Sequence, residues 1–166
     1  MRQIPNHRQW IAPLDGGFTL LEVMIALLVL SIGLLGLAAL QTSALRTGQM
    51  ADMRTRAVQA AADMVERMRA NPAGTTAGQY EINRNSVPRD TSATGTALDD
   101  LVDWHTSLAR LPDGQGEITR CGRGCAGQAT HSVTVWWNAA RDPATHGFSC
   151  PPRTRADLRC VRLLLH

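Results

Sequence analysis

Glu22 is a lone carboxylate at the head of an apolar run. From Val23 to Leu45 no residue carries a formal charge, a span of 23 residues. A carboxylate in hydrocarbon costs several kcal/mol while it stays charged, so it needs a cation nearby. The other residues with chemical potential lie far downstream. Cys121, Cys125, Cys150 and Cys160 allow three disulfide pairings, and sequence proximity favours Cys121 with Cys125 and Cys150 with Cys160. Zinc is the rival, with His131 or His146 at hand, but the C-x3-C and C-x9-C spacings match no common structural zinc pattern. No metal or other cofactor is expected. Asp103, His105 and Ser107 offer the residue types of a hydrolytic triad, yet on one helix side chains two apart diverge. Cys121-Gly122-Arg123-Gly124-Cys125 lacks the strand-and-helix context of a phosphate loop, and a disulfide-closed turn is its simplest form. With no nucleophile beside a base, no enzyme activity is expected.

The element that carries Glu22 is easily drawn. A helix of 23 residues reaches about 35 Å at ~1.5 Å per residue, enough for a hydrocarbon core of ~30 Å. Twelve of those residues are Leu, Ile or Val. At roughly −0.3 to −0.6 kcal/mol each, they favour insertion by some 4–7 kcal/mol. Arg2, His7 and Arg8 precede the run, which by the positive-inside rule keeps the N-terminus cytoplasmic and places the C-terminal part outside. An ordinary secretory signal would be shorter, and only Thr42-Ser43-Ala44 loosely offers a small-x-small cleavage site.

Gly17-Phe18-Thr19-Leu20-Leu21-Glu22, followed by that run, resembles the signal of the type IV pilin-like (prepilin) family. The resemblance implies cleavage between Gly17 and Phe18 by a prepilin peptidase, N-methylation of Phe18, and a need for Glu22 at the fifth mature position. Cleavage would leave a cationic amine one helical turn from Glu22. In a bundle of such helices, Glu22 of one subunit can pair with the Phe18 amine of another, offsetting desolvation and setting axial register. Further stretches are similar to the minor pilins known as type IV pilus modification proteins. They are Ile32-Gly33-Leu34-Leu35-Gly36-Leu37, Glu66-Arg67-Met68-Arg69-Ala70-Asn71-Pro72, Asp100-Leu101-Val102-Asp103-Trp104 and Val133-Thr134-Val135 with Trp137. That likeness implies a low-abundance subunit that primes, modifies or caps a pilus serving twitching motility and adhesion. Its implied partners are the prepilin peptidase, other minor pilins and pilin subunits, the inner-membrane assembly platform and the membrane. Its implied path runs from the inner membrane, crossed once with the C-terminal domain periplasmic, to the pilus at the cell surface.

Beyond the run the helix is expected to continue. Met50, Met53, Ala57, Ala60, Met64 and Met68 recur at steps of three and four, an amphipathic stripe that suits a core. Asp52 with Arg56 and Asp63 with Arg67 are spaced to pair across one turn, and Asn71-Pro72 stops the helix. Residues 72–97 predict a connecting loop with one short extended piece at Tyr80-Glu81-Ile82. A second helix follows, with Thr96 as its cap and Leu98, Leu101, Val102, His105, Leu108 and Leu111 on its inner face, Trp104 flanking. Leu111-Pro112-Asp113-Gly114 ends it. Strands are expected at 116–120, 132–137 and 158–165, paired antiparallel because their connections are short. Trp136 and Trp137 must face opposite ways, one in the core and one free for contacts. The fold class is therefore α+β and pilin-like: a long N-terminal helix with a membrane-spanning half and an amphipathic half packed on an antiparallel sheet, plus a second short helix. Its parts are a leader at 1–17, the apolar half at 18–45, the amphipathic half at 46–71, the connector at 72–97 and the cysteine-bearing helix-and-sheet domain at 98–166.

The formal net charge of +3 falls to +2 once Arg2, Arg8 and Asp15 leave with the leader, too little to argue for nucleic acid. All 17 basic residues are Arg, a bias of composition rather than a binding signal. Two alternatives share the signal or the surface: a minor pseudopilin of type II secretion, and a tip adhesin or DNA-binding subunit using exposed Trp and Arg.

Overall fold

A computed structural model describes residues 17–121, 125, 129–154 and 156–166. Two compact units meet in sequence between Ala44 and Leu45. One helix, α1 (Leu20–Ala70, 51 residues), supplies most of the first and begins the second. In the first unit every described side chain of α1 is exposed. Two of its hydroxyls are turned back on the backbone: Ser31 Oγ donates to the Leu27 carbonyl at 2.7 Å and Thr42 Oγ1 to that of Ala39 at 2.8 Å. A hydroxyl satisfied this way adds no open donor to an apolar surface. By length and apolarity α1 can cross a membrane.

In the second unit α1 buries Met53, Ala57, Ala61, Met64, Val65 and Met68. This is the expected stripe, rotated slightly. Met50 stays about half exposed and Ala60 half-buried, while Ala61 and Val65 enter the core. The ion pairs Arg56–Asp52 (2.8 Å) and Arg67–Asp63 (2.9 Å) lie on the polar side.

The stretch after α1 is more structured than the loop expected there. Asn71 caps a short helix, α2 (Pro72–Thr76), by accepting from the Gly74 amide at 3.1 Å. A 3-10 turn covers Pro88–Asp90. Ile82 forms an isolated antiparallel bridge to Ile118, at the end of the extended piece foreseen at 80–82. Pro72 explains both events: it disfavours continuation of α1 yet suits the first turn of a new helix.

Helix α3 spans Thr96–Leu108, and Thr96 is its first residue rather than its cap. Gly95 holds the cap position with φ +54°, a conformation a glycine adopts at little cost. The inner face also differs from the expected one. Ala97, Leu101, Trp104 and Leu108 are buried, whereas Val102 and His105 are exposed. Trp104, whose indole N–H donates to the Ala60 carbonyl at 2.9 Å, rather than His105, faces α1.

The sheet consists of β1 (Gln115–Arg120), β2 (His131–Trp137) and β3 (Arg159–Leu165), in spatial order 1-2-3 and antiparallel throughout. The whole is the α+β, pilin-like arrangement of a long apolar-headed helix with a small antiparallel sheet. Gly116 on β1 lets α3 approach closely, since a Cβ there would collide with the Trp104 ring and Leu108. Val133, Val135 and Trp137 join the core with Ile118, Leu101 and Met64. The opposite face of β2 is covered too. Trp136 is only 2% exposed, so the expectation of one free tryptophan fails. Phe148 meets Trp136 edge-on at 6.4 Å, and the Arg84 guanidinium lies 3.5 Å from the centre of the Phe148 ring. The segment leading into Cys150 thus roofs a face that alternation alone would leave to solvent.

Candidate functional site

The N-terminal end of α1 is built from local chemistry. Thr19 precedes the first helical residue, and its Oγ1 accepts the Glu22 amide at 3.2 Å while its carbonyl accepts that of Val23 at 3.2 Å. Thr19 is therefore the helix cap, and Glu22 lies three residues on, the spacing of a capping box. The signal Thr-x-x-Glu was present in the sequence and was overlooked there in favour of the carboxylate alone. Glu22 also sits in the first turn of α1, at the positive end of the helix dipole.

Phe18 and Glu22 are exposed and stand on one stripe with Val23, Ala26, Leu27 and Leu30. Steps of four residues keep Phe18, Glu22, Ala26 and Leu30 on a single face. A Cβ added at Gly17 would meet nothing within 4 Å among the described residues, and the same holds for Gly33 and Gly36. Packing within the described chain does not demand glycine at those positions. The leader expected over residues 1–17 lies, apart from Gly17, outside the described residues.

The stretches Glu66–Pro72 and Asp100–Trp104 meet in the second unit. Arg67 Nη1 reaches Asp100 at 3.1 Å and Asp103 at 3.4 Å while its Nε holds Asp63. Burial works against the Arg67 charge, but the hydrogen bonds that Arg67 donates to Asp100, Asp63 and Asp103 outweigh it and hold its pKa above the ordinary value. Tyr80, fully buried, donates its hydroxyl to Asp100 at 2.6 Å and accepts from Asn71 Nδ2 at 3.1 Å. Burial first, and the Asp100 bond second, push the Tyr80 pKa up to about 12. Asp103, His105 and Ser107 form no triad. Asp103 serves Arg67, Ser107 donates to the Trp104 carbonyl at 2.7 Å, and His105 is exposed. These motifs clamp α1, α2 and α3 together.

The cysteines are oxidised in pairs, Cys121–Cys125 and Cys150–Cys160, so none is available as a thiolate ligand. Cys160 lies on β3 opposite Trp136, and its bond ties the Phe148 roof to the sheet. The turn at Gly122-Arg123-Gly124 lies outside the described residues. His131 is buried, which with the nearby Arg120 charge lowers its pKa and keeps it neutral. Among the described residues no group of three or more His, Cys, Asp or Glu is placed to hold a metal ion.

Residues 14–38 match the family model of the prokaryotic N-terminal methylation motif, and residues 39–100 match that of type IV pilin Tt1218. The two matches support a type IV pilin family. The second covers the amphipathic half of α1, α2 and Tyr80, and ends at Asp100, so it takes in all three residues of the Arg67–Tyr80–Asp100 clamp. The methylation motif implies processing by a prepilin peptidase and assembly with other pilins, and with the apolar helix it fits a membrane-anchored pilin. The matches suggest a structural subunit rather than an enzyme. No curated protein and no solved structure matches the chain.

Proposed function

We propose that this chain is a minor pilin of a type IV pilus, of the kind represented by the pilus modification protein PilV. A prepilin peptidase cuts it between Gly17 and Phe18, and Phe18 is N-methylated. Before assembly it resides in the inner membrane with its N-terminus cytoplasmic and the disulfide-bonded domain periplasmic. It then enters the pilus, where it primes, modifies or caps the filament in support of twitching motility and adhesion. The observation that carries this reading is the first unit of α1, apolar on every side, uncovered, and headed by Glu22 beside the scissile bond. In the assembled state the Glu22 carboxylate pairs with the Phe18 amine of a neighbour, and the stripe through Ala26 and Leu30 packs on other pilin helices. The burial of both Trp136 and Trp137 removes the stacking surface that favoured a tip adhesin or a DNA-binding subunit.

Intact-mass measurement of the protein purified from cells tests the processing. The expected mass starts at Phe18 and carries one methyl group and two disulfides; a mass that retains Met1 despite an active peptidase overturns it. Glu22→Val tests the assembly role. The variant should insert as well as wild type but be lost from sheared pili by tenfold or more. Normal incorporation of that variant would sink the role given to Glu22.

A further inference from the structure

A pocket of about 330 Å³ opens at the start of the second unit, lined by Met50 and Arg54 of α1, Trp137 of β2, Arg159 and Cys160 of β3, and Pro152. Arg54 and Arg159 are exposed, and neither takes part in an ion pair or side-chain hydrogen bond among the described residues. Among the described residues no carboxylate lines the pocket. Asp52, the nearest acid along the helix, is held by Arg56 at 2.8 Å. Trp137, a wall of the pocket, has a buried indole N–H with no acceptor. The pocket therefore offers two free guanidinium groups and no counter-charge, a site for a phosphate-sized anion. Arginine is suited to it because its planar fork matches phosphate oxygens two at a time.

Its position indicates where the anion comes from. The uncharged run ends at Leu45, and Arg46 follows at once. Met50 is five residues further along the same helix, about 7 Å at ~1.5 Å per residue, and Arg54 one turn beyond that. The headgroup layer of a bilayer is about 5–8 Å thick on each side of the hydrocarbon. Helical side chains lean toward the N-terminus, so Arg54 is directed back toward Met50, four residues before it on the same face. We infer that this pocket binds the phosphate of an anionic phospholipid in the outer leaflet of the membrane that holds the unassembled subunit. The inference rests on the membrane-anchored reading above. Its physical consequence is a head tied to the bilayer surface at one place, which extraction into a filament must release.

The test uses the full chain in mild detergent, titrated with phosphatidylglycerol, phosphatidylcholine or inorganic phosphate and followed by native mass spectrometry. Wild type should retain one phosphatidylglycerol at a concentration at least tenfold lower than phosphatidylcholine. The double variant Arg54→Gln/Arg159→Gln should lose that preference, while Arg110→Gln, away from the pocket, should keep it. An unchanged thermal unfolding midpoint in the double variant shows that the fold survives. Equal lipid preference in the double variant and wild type overturns the proposal. So does displacement of the lipid by inorganic phosphate at equal concentration, which would make a free anion the ligand. A double variant that keeps its lipid but disappears from pili also overturns it, in favour of an acidic neighbour as the occupant. Carbonate extraction of cell membranes separates the two levels: a chain that washes out sinks the anchored reading, whereas one that stays without lipid preference sinks only the pocket.

Discussion

Helix α1 runs through two environments, and its two parts obey different rules. Up to Ala44 its Leu, Ile and Val side chains face outward on all sides, with Leu35 at 73% exposure; beyond Leu45 only one stripe is apolar and that stripe is buried, with Met64 at 0%. The same backbone hydrogen bonds hold both parts, so the helix itself does not distinguish them. The difference lies in where the burial energy is collected. The second part collects it within the chain, from α3 and the sheet. The first can collect it only from lipid or other helices, and so it has the character of an interface held in reserve.

The sharpest way to break this contrast is to remove a keystone of the second unit. Trp104→Ala deletes a ring packed against Gly116 together with the bond to the Ala60 carbonyl, and should cost about 3–5 kcal/mol in urea unfolding followed by circular dichroism. Cys150→Ser with Cys160→Ser frees a short loop and the Phe148 roof, and should cost about 2–4 kcal/mol, with a change in tryptophan fluorescence as the face over Trp136 opens; reductant, which also opens Cys121–Cys125, should cost at least as much. Tyr80→Phe leaves Asn71 and Asp100 short of a partner and should cost about 1–2 kcal/mol at neutral pH. It should also change the alkaline limb. An unfolded chain ionises Tyr80 near pH 10, the folded one only near 12. The stabilisation from the protonated hydroxyl is therefore complete below about pH 10 and lost as pH rises through about 12. Wild type should lose stability over that window and Tyr80→Phe should do so less. The smallest effect belongs to the first unit: Leu35→Ala should change unfolding of the head by less than about 0.5 kcal/mol, as expected of a surface site. A loss of 2 kcal/mol or more there would mean that the apolar part contributes to the head's own stability, and the contrast would fall.

The features legible in advance were those written in short range. The uncharged run marks α1, alternation marks β2, and the Met and Ala spacing marks the inner side of the second half of α1. The Arg67 and Asp100 stretches were visible as motifs, but their meeting through Tyr80 was not, because residues 20 to 33 apart in sequence carry no periodic sign of contact. The Thr19 cap was legible and overlooked. Trp136 and His105 were misplaced for one reason: a local pattern gives the relative direction of side chains along an element, and says nothing about what later folds over either face.

Sequence alone determined that this protein has a charge-free helix headed by Glu22, because charge and hydropathy are properties of neighbouring residues and need no partner to be expressed. Tertiary structure decided which tryptophans are covered, which helix face meets α1, and that Arg54 and Arg159 line one pocket. Those outcomes depend on distant segments competing for the same apolar surface, and that competition is resolved only when the whole head is packed.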